Sequence, residues 1–173
     1  SPPASCPWKP WQPWQPPMTK GLTLDRGYVI RLVEMLEQQN VESIWTVEHV
    51  VMAKNYDPLY PYSKDGMAPT APDTLMPDPL EWLAFAAART ERLNLGTSVV
   101  VASQHSAAIL AKRVATLDAL SGGRLRLGVG IGWQREEYRA CGVPYRDRGR
   151  RLDETIEAMR VLWRDEWATY RGK

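Results

Sequence analysis

Three short apolar runs, separated by segments of helical period, leave this chain few folds to adopt. SIWTV (43–47), LNLGTSVVVA (93–102) and LRLGVGIG (125–132) have the β-branched, aromatic and alternating composition of strands. Ahead of the first, Val29, Leu32, Val33 and Leu36 fall at i, i+3, i+4 and i+7 on one face of a helix that Asn40 closes. Before the second, Asp78, Pro79 and Glu81 open another helix as cap, first-turn proline and third-position glutamate, with Leu80, Leu83, Ala84 and Ala87 as its buried face. A third helix over about 107–120 turns Leu110, Val114 and Leu117 inward and stops at Ser121, Gly122 and Gly123. Leu152, Ile156, Met159 and Trp163 mark a fourth. Strict alternation of helices with strands apolar on both faces argues a parallel sheet covered by helices, either an open doubly wound sheet or a β/α barrel. A closed eight-stranded barrel takes about 250 residues, so in 173 residues the expectation is part of one.

The third run carries the most information. Leu125, Leu127, Val129 and Ile131 alternate with Arg126, Gly128, Gly130 and Gly132, so one face of the strand lacks bulk. Glycines in that pattern imply close approach, either tight packing inside a barrel or a ligand lying on the chain. A dinucleotide fingerprint is excluded by spacing: it needs a third glycine five residues after the first, and those places hold Trp133 and Arg135. The segment 52–76, rich in tyrosine and proline, is long for a connection, and such loops are either functional lids or disordered.

Composition removes several classes of function. With 22 basic and 20 acidic residues the net charge is +2, which leaves no electrostatic footprint for nucleic acid or a membrane surface. Two cysteines and two histidines provide neither a disulfide framework nor a zinc-ligand set, so no metal is expected and a cytoplasmic location is. No apolar run is long enough to span a bilayer. Residues 1–20 differ from the rest: Pro7, Pro10, Pro13 and Pro16 recur every three, as do Trp8, Trp11 and Trp14, the period of polyproline II. They are read as a low-complexity leader without fixed structure, followed by one domain over 21–173.

Four segments resemble a known family: ESIWTVEHVV at Glu42, LNLGTSVVV at Leu93, AKRVATLDALSGGRLRLGVGIGW at Ala111 and GVPYRDRGRRLDE at Gly142. In this order and spacing they are similar to the luciferase-like monooxygenase superfamily, in its coenzyme F420 (deazaflavin) dependent oxidoreductase branch. The resemblance implies an α/β fold of the TIM (β/α)8-barrel type, here the N-terminal half: an incomplete barrel of about three parallel strands with flanking helices. Members of the family open with an apolar first strand, where this sequence holds the proline and tryptophan repeat, and continue through four more strands. They are usually dimers and bind a flavin or deazaflavin at the C-terminal mouth.

The resemblance also implies roles. Glu48 and His49 match the acidic residue and histidine at the end of the second barrel strand, where histidine works beside the deazaflavin as acid or base. Imidazole suits this, taking a hydroxyl proton as carbon surrenders a hydride. Ser98 and Val99 match a bulge with a non-proline cis peptide behind the ring, and Gly130, Ile131 and Gly132 line the mouth. Sugar-phosphate dehydrogenases of the family place a proton-donating glutamate after that last glycine. Here Trp133 stands there, which implies a more apolar or aromatic substrate face. Glu136 and Glu137 are read as a solvated helix start, His105 as a surface or capping residue, and Arg148, Arg150 and Arg151 as a solvated face pairing with Asp147, Asp153 and Glu154. Cys141 reads as a small buried hydrophobe. The expected function is hydride transfer between coenzyme F420 and a small organic molecule. The alternatives are an FMN-dependent monooxygenase and a non-catalytic half barrel that self-associates through its open sheet edges.

Overall fold

The computed structural model describes residues 21–71 and 73–172; the proline and tryptophan repeat lies outside the described residues. A 3-10 turn (Leu22–Leu24) leads into α1 (Arg26–Gln38), β1 (Ser43–Thr46), α2 (Pro79–Ala87), β2 (Asn94–Thr97), α3 (Ala107–Leu120), β3 (Leu125–Arg126), α4 (Arg135–Ala140) and α5 (Arg148–Arg164). A second 3-10 turn, Ala102–Gln104, follows β2. The strands form one parallel sheet in the order β1-β2-β3, with Ser43 opposite Asn94 and Leu95 opposite Leu125. Neighbouring parallel strands joined by helical crossovers are consecutive units of a β/α barrel, here an incomplete one.

Local chemistry sets the helix ends. Asp25 accepts from the Tyr28 amide at 2.6 Å, and Asn40 closes α1 with φ 55°, the left-handed conformation asparagine tolerates. Asp78 caps α2 by accepting from the amides of Leu80 and Glu81 at 2.9 and 3.1 Å. Of the face expected to be buried on α2, Leu80, Leu83 and Ala87 are buried but Ala84 is exposed. Trp82 and Ala86 are buried instead, because α2 packs against α1, α3 and β2 and is covered over a wider arc. The Trp82 indole donates to the Thr23 carbonyl at 2.8 Å. Val33, Leu83, Leu93, Leu95 and Leu110, each at most 1% exposed, centre the core between helices and sheet.

Arg124 ties the sheet to α2. It donates to the carbonyls of Ala87, Thr90 and Leu93 at 2.8–3.1 Å and to the Thr90 hydroxyl at 2.9 Å. A guanidinium placed there gathers the carbonyls of the turn that leads from the end of α2 into β2.

The strands are shorter than their composition predicts. Beyond Thr97 the ladder gives way to a side chain: the Thr97 hydroxyl donates to the Gly128 carbonyl at 2.8 Å and accepts from its amide at 3.0 Å. Pairing resumes at Val100 and Val129, with the Ser98–Val99 peptide cis between. The glycines of the third run make room for this segment. A Cβ on Gly128 would strike the Thr97 carbonyl, one on Gly130 would lie 2.6 Å from Val99 Cγ2, and one on Gly132 would lie 2.8 Å from Val101 Cγ1. Close packing of β2's extension accounts for the glycine alternation.

Candidate active site

The carboxyl ends of the three strands supply the polar residues. Glu48 and His49 follow β1, Val101 and His105 follow β2, and Trp133 and α4 follow β3. Buried carboxylates link them. Glu48 accepts from the Val101 amide at 2.6 Å, and its other oxygen lies 2.9 Å from His105 Nε2. Glu137 accepts from the Val50 amide at 2.6 Å, and its other oxygen lies 3.2 Å from His49 Nδ1. Glu137 is 1% exposed and Glu48 7%, whereas the side chains of His49 and His105 are 16% and 18% exposed. Glu48, His49 and His105 all line one cavity of about 660 Å3, whose apolar wall includes Val29, Met76, Trp82 and Phe85.

Three sequence expectations are corrected here. Glu136 and Glu137 are buried rather than a solvated helix start: α4 turns both inward, and Glu137 there accepts from the Val50 amide and meets His49 Nδ1. His105 flanks the 3-10 turn Ala102–Gln104, but its ring turns from the surface to Glu48. Among the arginines, Arg150 meets Asp147 at 3.6 Å, but Arg148 stacks 3.9 Å over the Tyr145 ring and Arg151 donates to the Ser103 carbonyl at 3.1 Å.

Trp133 stands at the centre of an aromatic cluster. It meets His49, Tyr56 and Tyr60 edge to face at 6.0, 5.1 and 5.4 Å between ring centroids, and Tyr62 extends the group through Tyr60. The tyrosines come from the long segment after β1, which has fixed contacts: Ala53 N–H donates to Gln134 at 3.4 Å, Asp57 pairs with Arg135 at 3.2 Å, and Tyr60 N–H donates to Gly66 at 2.8 Å. Tyr138 is fully buried, and its hydroxyl bonds to Ser103 Oγ and the Ile131 carbonyl. Burial pushes its pKa up. Burial, aided by the charges of Glu137 and Glu48, pushes the Cys141 thiol up to about 11.

Of the residues singled out in the sequence, Glu48 and His49 share the cavity wall. Ser98, Val99, Gly130, Ile131 and Gly132 do not line it; they lie beyond β2 and β3. Val99 fills the space over Gly130, and Gly132 has φ 64°. Sequence reasoning missed Glu137 and His105. Nothing in REEY distinguishes a buried glutamate from a solvated one. For His105 a signal existed: both histidines of the chain follow the ends of predicted strands. Among the described residues, no cluster with metal-binding composition forms, and no helix is long and apolar enough to cross a membrane.

A parallel β/α sheet whose strands are followed at their carboxyl ends by histidines on buried carboxylates has the layout of a β/α-barrel protein. The chain belongs to the luciferase-like monooxygenase family, whose profile matches residues 8–173. It is 36% identical over 152 residues to an uncharacterized protein of Mycobacterium tuberculosis, covering 87% of this chain and 54% of that one. To the F420-dependent glucose-6-phosphate dehydrogenase of Kineococcus radiotolerans it is 34% identical over 141 residues, covering 79% of this chain and 37% of that enzyme. The crystal structure of monooxygenase RslO1 from Streptomyces bottropensis superposes with a TM-score of 0.70 at 30% identity, over 91% of this chain and 43% of that one. The chain thus spans about half the length, or less, of these relatives.

Proposed function

We propose that this chain carries the proton-handling wall of an oxidoreductase that passes a hydride between coenzyme F420 and an organic substrate. The observation that carries the reading is His49: it follows the end of a parallel strand, is held by a buried carboxylate, and lines the cavity. Similarity to an F420-dependent dehydrogenase supports the choice of cofactor. The cavity fits such a group. Its volume falls in the range of small-molecule and cofactor sites, and it offers Val29, Trp82 and Phe85 to a flat ring and Glu48 and His49 to a polar edge. When bound, the ring supplies the carbon that gives or takes the hydride. Glu48 is proposed to border it, whereas Ser98, Val99, Gly130, Ile131 and Gly132 lie outside this cavity. His49 takes the substrate's hydroxyl proton as its carbon gives up the hydride. Trp133 and its tyrosines give the substrate side an aromatic surface, which favours an apolar or aromatic alcohol over a sugar phosphate. The near alternative, an FMN-dependent monooxygenase, draws support for its oxygenase part from the similarity to monooxygenase RslO1.

In the complete enzyme, His49→Asn is expected to lower turnover by roughly 10²–10⁴-fold, the ordinary worth of general acid–base catalysis. Unchanged turnover in that variant would remove the proton role.

A second reading, self-association, rests on a different observation. β1 lies at the edge of the sheet among the described residues, and Leu22, Trp45, Val47 and Val50 are 46–54% exposed. A free strand edge with apolar neighbours favours pairing with a second copy. Light scattering that gave a clean monomer at high concentration would contradict it.

A further inference from the structure

We propose that Glu137 is a positioning residue for His49, and that Glu137 and Glu48 hold the two cavity histidines in opposite tautomers: His49 protonated on Nδ1, His105 on Nε2. The role rests on the reading of His49 as the proton carrier, whereas the tautomers rest on geometry alone. Each carboxylate uses both oxygens. One accepts from a backbone amide, Val50 for Glu137 and Val101 for Glu48, each at 2.6 Å. A backbone N–H only donates, and a carboxylate has no proton to offer, so the ring nitrogen at the second oxygen carries the hydrogen. That nitrogen is Nδ1 in His49 and Nε2 in His105. The arrangement leaves Nε2 of His49 and Nδ1 of His105 without a hydrogen-bond partner among the described residues, in two rings that line the same cavity. A proton acceptor needs such a nitrogen, with its lone pair free, and Glu137 provides it by occupying the other.

The carboxylate is required because two donors converge on it. In Glu137→Gln one amide oxygen has to serve both the Val50 N–H and the imidazole. If it keeps Val50, the amide NH2 faces Nδ1 and drives the hydrogen of His49 to Nε2.

The test is nitrogen NMR of the full chain labelled with 15N-histidine, at a pH well above about 6.5, where imidazole is ordinarily neutral. The chain has two histidines, so two rings appear, and a His105→Gln variant assigns them. The expected wild-type spectrum shows one Nδ1–H ring, His49, and one Nε2–H ring, His105. In Glu137→Gln the Nδ1–H signal of His49 is expected to be lost while His105 keeps its tautomer. Two wild-type rings in the same tautomer would overturn the proposal, as would an unmoved His49 in a folded Glu137→Gln protein. If that variant does not fold, the wild-type spectrum still decides. The two readings fail separately: matching tautomers sink the positioning role whatever His49→Asn does to turnover, and unchanged turnover in His49→Asn sinks the proton role whatever the spectrum shows.

Discussion

Gly132 is constrained twice over. Its φ of 64° is one that side-chain-bearing residues rarely adopt, and a Cβ there would press on Val101 at 2.8 Å. Gly132→Ala is therefore expected to destabilise the chain by roughly 1–3 kcal/mol, measured by urea unfolding, through backbone strain and overpacking. A neutral substitution would mean that the segment after β3 is free to move away from β2's extension. Cys141 is the counterpart in reactivity. With its thiol pushed up to about 11 by burial and by the charges of Glu137 and Glu48, it forms little thiolate near neutrality. In a Cys6→Ser variant, native Cys141 is expected to react with thiol reagents far more slowly than the unfolded chain at about pH 8. Equal rates would contradict the burial that raises it.

At the scale of elements, α2 shows how a sequence signal becomes a stability device. Burial alone would raise the Asp78 carboxyl, but the side chain and amide of Glu81 and the guanidinium of Arg113 hold it at about 2. A folded pKa below the ordinary value stabilises the fold fully above about pH 4, and that stability is lost as pH falls toward about 2. Asp78→Ala is expected to cost about 1 kcal/mol near neutrality, with the gap to the parent narrowing between about pH 4 and pH 2 in denaturant titrations. A gap that held constant to pH 2 would show that only cap geometry matters. The cap was legible in Asp78-Pro79, and Asn40 as a left-handed stop was legible in the same way, because both act within one turn of chain. The strand lengths were not. Thr97 looks like any strand threonine, and its replacement of the ladder depends on Gly128, 31 residues away. The glycine alternation was legible as close approach, but whether a ligand or a neighbouring strand came close required the sheet order.

For the whole molecule, alternation of apolar strands with helices was enough to predict a parallel β/α sheet, since few other packings bury strands on both faces. The site was half legible. Glu48 and His49 stand out through the resemblance of ESIWTVEHVV to the family's second barrel strand, whereas Glu137 and His105 meet them only through folding, across 88 and 57 residues. These four residues and the aromatic cluster on Trp133 gather at one end of the sheet, where the proposed chemistry lies. The most direct test of that placement is a titration of the chain with coenzyme F420 and, in parallel, with flavin mononucleotide, followed by quenching of tryptophan emission, to which Trp133 beside His49 contributes. Saturable quenching by coenzyme F420, weakened by Trp133→Ala, is the predicted result. Saturation by flavin mononucleotide alone would contradict the deazaflavin assignment, and binding of neither would contradict a cofactor site built on these strand ends.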